Sequence, residues 1–293
     1  GPRVFFIYLT HLEGNIMKID IREPIDPYEG KDMSSLVKSR LVDVDSKSVK
    51  YRKFMGVFSA FREGLARHGI FSTTSNSSSF SDLVVQWGHR NIPRSDACNN
   101  YLIIEHGYYN NRLWGTYSIG FNGLNGEANF VNQESDGNRW AEEDMIKPWI
   151  TRDNGYVLVI GQTPEDATLF SKTLDPVDID LWVQETKQQY EAMGHDVRIR
   201  FHPNVVPPER TLQQEFDEAK LVVTCSSNTG VEAVMAGIPT VATYPTSMVY
   251  KLCKHTTTPD REQWCKNLSY CQWTEEEIRR GDAWEHLKRF YTE

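Results

Sequence analysis

The chain has no apolar run long enough to span a bilayer, and no signal-like segment opens it. A cytoplasmic protein is therefore expected. Its five cysteines are odd in number and widely spread, which argues against a disulfide framework. No Cys-x-x-Cys pair occurs. Cys253, His255, Cys265 and Cys271 could be grouped as a zinc set, but buried thiols and no metal are the expectation. Gly-x-Gly-x-x-Gly and Walker-type loops are absent as well, which weighs against dinucleotide redox chemistry and P-loop phosphoryl transfer.

What is present fits a protein of two α/β domains. At 293 residues, 39% of them hydrophobic, the chain can build two ordinary cores. Gly1-Pro2 has the look of a protease-cleavage scar, so the native start is expected near Arg3. Strands are expected at 4–9, 83–87 and 101–105, with a helix over 51–68 between the first two. Further strands are expected at 156–160, 197–201, 221–225 and 240–243, alternating with helices near 180–193, 212–219 and 230–236. Such alternation predicts a parallel, doubly wound sheet. Residues 147–154, interrupted by Pro148 and followed by Gly155, read as a linker. Residues 1–150 then form one domain and 151–272 the other, while 273–293 form closing helices that can return to the first. Residues 72–81, rich in Ser, Thr and Asn, read as a mobile loop.

The run Ser226-Ser227-Asn228-Thr229-Gly230-Val231-Glu232 is the most informative segment. It leaves an apolar strand through small hydroxyl residues and enters a short helix that Gly237 is placed to end. Backbone N–H groups and hydroxyls in that arrangement can hold a phosphate, and Glu232 can accept hydrogen bonds from a ribose diol. Ser226, Ser227 and Thr229 could equally be helix caps. Arg200-Phe201-His202-Pro203 closes the preceding strand, and neighbouring parallel strands deliver their loops to one crevice. Arg200 and His202 would then face the same anion, although His202 could also be an ordinary loop histidine.

These segments resemble the donor domain of GT-B glycosyltransferases, particularly those of capsule synthesis and their phage-encoded relatives. The likeness covers about 156–242 and includes Gly161-Gln162-Thr163-Pro164-Glu165-Asp166, similar to a turn that opens this domain in the phage group. In the first half, Glu105-His106-Gly107-Tyr108 and the run from Gly120 to Gly126 are similar to segments of phage proteins associated with modified DNA bases. The resemblance implies two Rossmann-like domains facing a central cleft. It implies a hexosyltransferase using a nucleotide sugar such as UDP-glucose, with Gly161, Gln162, Arg200, His202, Ser226, Ser227, Thr229 and Glu232 at the donor. No metal is required on that reading. Hydroxymethylcytosine or hydroxymethyluracil in bacteriophage DNA is the leading acceptor. Transfer to a capsule or cell-surface saccharide, and a non-catalytic nucleotide- or DNA-binding protein, are the alternatives.

Glycosyl transfer needs a base for the acceptor hydroxyl. Strand alternation turns only one of Glu105 and His106 toward a cleft, and the similar phage segment also ends in Glu, which makes Glu105 the first candidate and His106 the second. Arg112 could partner Glu105 or an acceptor phosphate. Trp87, Tyr108, Asn122 and Asn125 complete the expected acceptor side, with Tyr109, Trp114 and Tyr117 nearby. Aromatic faces suit sugars and unstacked bases alike, or the core. The glycines around Asn122 and Asn125 suggest turns with positive φ and close approach to a ligand. A base within a duplex would have to be flipped out.

A net charge of −8 discourages a nucleic-acid partner, but the charge is uneven. Residues 38–67 hold Lys38, Arg40, Lys47, Lys50, Arg52, Lys53, Arg62 and Arg67 against Asp43, Asp45 and Glu63. That stretch could track DNA phosphates. It could also be the solvated face of an amphipathic helix that buries Phe54, Val57, Phe58, Phe61 and Leu65. Asp178-Ile179-Asp180 has a metal-nucleotide form, yet it sits where a helix starts and capping accounts for it.

Overall fold

The computed structural model describes residues 18–22, 41–74, 80–89, 96–110 and 115–292. The expected strand over 4–9, Lys38, Arg40, Arg112 and Trp114 lie outside them. In chain order the elements begin with β1 (Ile19–Arg22), α1 (Leu41–Arg67), β2 (Thr73–Thr74), β3 (Ser81–Trp87), β4 (Cys98–His106) and β5 (Thr116–Phe121). Next come β6 (Tyr156–Ile160), α2 (Ile179–Ala192), β7 (Val197–Arg200), α3 (Leu212–Glu218), β8 (Ala219–Thr224), α4 (Thr229–Met235) and β9 (Thr240–Ala242). The chain closes with α5 (Glu262–Ser269), β10 (Gln272–Thr274), α6 (Glu275–Arg280) and α7 (Asp282–Leu287). Two compact units result: the described residues up to Asn122 with those from Gln272 on, and Gly123–Cys271.

Among the described residues the first unit holds a six-stranded sheet in the order β10-β5-β4-β3-β1-β2. The strands β2, β1, β3 and β4 pair in parallel, whereas β5 runs antiparallel to β4 and β10 antiparallel to β5. The sheet is therefore mixed. Neither β5 nor β10 was expected, because Gly120 interrupts the apolar pattern of one and the other is only three residues long. All six residues of β5 are nevertheless buried. Helix α1 starts earlier than expected and buries Val57, Phe58, Phe61 and Leu65, each worth about 1.5–3 kcal/mol when fully buried. Gly64 lets it approach α6 closely, since a Cβ there would lie 2.1 Å from the Ile278 carbonyl oxygen. Phe290 stacks on Phe121 with centroids 4.1 Å apart, which ties the tail to β5.

The second unit follows the expected order closely. Its sheet, β7-β6-β8-β9, is wholly parallel. Every residue of β6 is buried, as a strand covered on both faces requires. On one face Val157, Val159 and Val223 pack with Leu169, Ile179 and Val183; on the other Leu158, Ile160 and Val222 pack with Phe216, Ala233 and Ile238. Helices thus cover both faces. Asp178 caps α2 by accepting from the Leu181 N–H at 3.1 Å, and Thr211 forms a capping box with Gln214 on α3.

Residues 147–154 do not form a loose linker. Lys147 N donates to Met235 O and Ile150 N to Gly237 O, each at 2.8 Å. Trp149 Nε1 donates to Pro259 O at 3.0 Å, and the Arg261 guanidinium lies 4.0 Å over the Trp149 ring. With its backbone paired to the last residue of α4 and to the turn that follows it, the segment is part of the second core. Gly237, with φ of 75°, ends α4 as expected and also admits this segment, because a Cβ there would fall 2.1 Å from Pro148 O.

That contact can be weighed. Gly194 also has positive φ, 86°, but a Cβ there would meet nothing within 4 Å. Gly194→Ala is expected to lose only the left-handed backbone cost of about 1 kcal/mol. Gly237→Ala should lose on the order of 2 kcal/mol more through the clash. Denaturant unfolding of the two variants, side by side, checks the difference.

Candidate functional site

In the second unit the chain leaves β6 along one face through α2 to reach β7. It returns along the other face through α3 to β8, on the opposite side of β6. Neighbouring strands β6 and β8 therefore send their loops in opposite directions, which opens a crevice outside their carboxyl ends. Gly161-Gln162 and Cys225-Ser226 occupy that position.

A buried polar network braces the crevice. Gln162 Oε1 accepts from Ser226 N at 3.0 Å, and Gln162 Nε2 lies 3.0 Å from Ser226 Oγ, 3.1 Å from Thr168 Oγ1 and 3.0 Å from Asp166 Oδ2. Asp166 Oδ1 accepts from the Thr168 N–H at 2.9 Å and from its hydroxyl at 2.8 Å. With the Thr168 O–H directed at Asp166, Thr168 Oγ1 accepts from the Ser226 hydroxyl, 2.8 Å away. Thr246 donates from its hydroxyl to the Thr168 carbonyl and anchors the same turn to the loop after β9.

This network corrects two expectations. Gln162 and Ser226, 5% and 0% exposed, have their polar atoms engaged inside the protein and act as struts. Gly161 is buried with its N–H on Arg200 O. Asp166 and Thr168 complete the network and had no assigned role in the sequence. Their signal was an Asp-x-Thr turn capping the short 3-10 helix Ala167–Leu169.

The half-buried rim holds Ser227, Thr229 and Glu232. Ser227 Oγ accepts from Thr229 N at 3.2 Å, so the capping role is realised there, while Ser227 N donates to Thr224 Oγ1 at 3.0 Å. Glu232 lies in the first turn of α4. Arg200 donates from Nη1 to Arg210 O at 2.7 Å, which gives it a part in holding the loop after β7. His202 is half-buried, and its Nδ1 accepts from Asn204 N at 3.1 Å. That bond puts the neutral ring's proton on Nε2, a donor for an anion.

Asn125 belongs to the second unit, with its Nδ2 3.4 Å from Asn228 Oδ1. It was expected on the acceptor side. Positive φ falls on Asn122 (58°) and Asn125 (50°), and the glycines beside them serve close backbone packing instead. A Cβ on Gly126 would sit 2.3 Å from Ser247 O, and one on Gly123 2.3 Å from Glu127 O. Asn122 stays in the first unit, where its Oδ1 accepts from Tyr101 N at 3.0 Å.

At the carboxyl ends of β3 and β4 in the first unit stand Trp87, Glu105 and His106. All three are half-buried. Trp87 stacks on Phe54 at 4.0 Å and meets the His106 ring edge-on at 5.1 Å. Glu105 Oε1 accepts from His106 N at 3.2 Å, and a Cβ on Gly88 would lie 3.4 Å from Glu105 Oε2. Tyr108 is 0% exposed, with its N–H on Gln272 Oε1 at 2.7 Å, so its ring is core and offers no acceptor surface.

No family model matches the chain, and no curated protein does. Among solved structures, KpsC of Thermosulfurimonas dismutans, described as a beta Kdo 2,7 transferase, superposes with a TM-score of 0.47 at 12% identity, covering 92% of this chain and 99% of that one. A beta Kdo 2,4 transferase, KpsC of the same organism, gives 0.46 at 13% identity, covering 89% and 92%. At that superposition and identity neither fold nor activity follows for this chain.

All five cysteines are buried and free, and among the described residues no group of three or more His, Cys, Asp or Glu could hold a metal ion. Burial pushes the Cys225 and Cys253 thiols up to about 12 and Cys265 to about 11. No described helix is long and apolar enough to cross a membrane.

Gln162→Leu would strip Ser226 N, Thr168 and Asp166 of a partner at one stroke, and a loss on the order of 3 kcal/mol is expected in denaturant unfolding. The thiols make a second prediction. Their folded pKa lies above the unfolded value near 9, so the unfolded chain releases protons first as pH rises. Stability should hold below about pH 8.5 and fall from there up to pH 11–12. Cys225→Ala should flatten the fall in a pH series of denaturant midpoints.

Proposed function

We propose that this chain is a glycosyltransferase whose nucleotide-linked sugar donor binds at the carboxyl edge of the second unit's parallel sheet. One observation supports it above the others: the crevice between β6 and β8 is braced by an internally satisfied network, which leaves Ser227, Thr229, Glu232 and His202 Nε2 at its rim. A preorganised set of donors beside a carboxylate suits a nucleotide, with the phosphates on the hydroxyls and imidazole and the ribose diol on Glu232. His202 Nε2–H would donate to the leaving phosphate oxygen as negative charge builds there, so no metal need supply that role. As base for the acceptor hydroxyl we keep Glu105, with His106 second.

The acceptor we propose is a saccharide hydroxyl, such as that of a capsule or cell-surface glycan, in place of hydroxymethylated DNA. Within the basic stretch Arg67 is engaged by its own unit, and Glu63 lies among its cations. Arg67 Nε donates to Arg279 O at 3.1 Å, and Glu63 pairs with Arg279 at 2.6 Å. The side chains of Lys47, Lys50, Arg52 and Lys53 lie outside the description. Trp87, half-buried at the end of β3 and stacked on Phe54, is the aromatic residue we assign to the saccharide.

The test is incubation with UDP-, GDP-, dTDP- and CMP-linked sugars, scored for donor cleavage with oligosaccharides or hydroxymethylpyrimidine DNA as acceptor. Cleavage of one donor class with mass gain on a saccharide is expected, and mass gain on DNA alone would reverse the acceptor assignment. His202→Ala and Glu232→Ala should each weaken donor binding about ten- to a hundredfold. Unchanged donor affinity in both variants would remove the proposed pocket.

A further inference from the structure

Phe201 follows β7 in the parity of Val197 and Ile199, whose side chains pack into the core covered by α2. Unlike them it stays 36% exposed, and Val205 and Val206 in the same loop are 47% and 45% exposed. The loop that presents these side chains is constrained. His202 O accepts from both Val205 N at 2.8 Å and Val206 N at 3.1 Å, and Pro203, Pro207 and Pro208 restrict φ along it. The ring lies against the turn that leads into the Gln162 strut, because a Cβ built on Gly161 would meet Phe201 Cδ1 at 3.5 Å and its Cα at 3.4 Å. A rigidly carried aromatic face therefore stands one residue from His202, at the carboxyl edge of the sheet.

We infer that Phe201 is the stacking face for the nucleobase of the bound nucleotide, an inference that rests on the donor-site reading above. A planar heteroaromatic ring is the part of a nucleotide that gains most from an exposed aromatic side chain. The phosphates and ribose are matched instead by His202, the hydroxyls and Glu232. Stacking is tolerant of base identity since every base has a π-face. Phe201 thus adds affinity for purine and pyrimidine nucleotides alike and leaves the choice of base to other groups. Gly161 sets the space available to the ring. A methyl group at 161 is accommodated at ordinary contact distance, whereas a branched side chain displaces the ring.

Calorimetric titration of the full chain and of Phe201→Ala and Phe201→Trp with UDP, GDP and inorganic pyrophosphate tests this. Phe201→Ala should weaken UDP and GDP by about tenfold each, leave pyrophosphate unchanged, and be rescued by Phe201→Trp. Unchanged UDP and GDP affinity in Phe201→Ala would overturn the stacking role while the phosphate site stands. An equal loss of pyrophosphate would overturn it too, by showing that the ring supports the loop. Should the unaltered chain bind none of the three, the donor-site reading falls and the inference with it.

Discussion

The carboxamide of Gln162 joins the ends of β6 and β8 at the point where their loops part. Its oxygen takes the Ser226 N–H and its nitrogen reaches Ser226, Thr168 and Asp166, all inside the protein. A buried polar group is stable only when every donor and acceptor is matched, and here the chain of hydroxyl donors ends on the Asp166 carboxylate, which can only accept. The consequence reaches beyond stability. With these groups occupied, the turn after β6, the turn after β8 and the loop after β9 have one relative arrangement, so the rim residues are presented without further ordering. Binding energy from a ligand then need not be used to assemble the crevice.

Much of the second unit was legible because its signals were local. The apolar runs over 156–160 and 221–225 are bounded by Gly161 and by the Ser226-Ser227 pair, and α2 falls within one residue of expectation because Asp178 is its cap. The divided roles within the Ser226-Ser227 pair were not legible. Both serines look alike in sequence, yet the last residues of a strand alternate in direction, which turns one hydroxyl into the core and leaves the other at the rim. The same limit applies to Gln162, which reads as a ligand-binding side chain until its partner 64 positions away is known.

In the first unit the unread features were long-range. The strand β10 is recognised only through its pairing with β5, more than 150 positions earlier in the chain, and Gly120 hides β5 itself. Residues 147–154 carry a proline, and a glycine follows them, as in a linker, but Gly237 accommodates their backbone so closely that they belong to the second core. Tyr108 shows how an aromatic next to candidate catalytic residues can be wholly structural. Its backbone N–H is held by Gln272, far away in sequence, and nothing local distinguishes its buried ring from a sugar-facing one. Phe201 is the converse case, an aromatic left uncovered where the core side of an edge strand runs out.

What occupies the carboxyl edge of the second sheet decides whether the donor site lies there. The most direct measurement is a crystal structure of the chain grown with a nucleoside diphosphate. The nucleotide is expected beyond the ends of β6 and β8, with its phosphates at Ser227 and Thr229 and within hydrogen-bond reach of His202 Nε2, and its ribose at Glu232. A nucleotide bound elsewhere in the molecule, with this crevice holding only solvent, would contradict it.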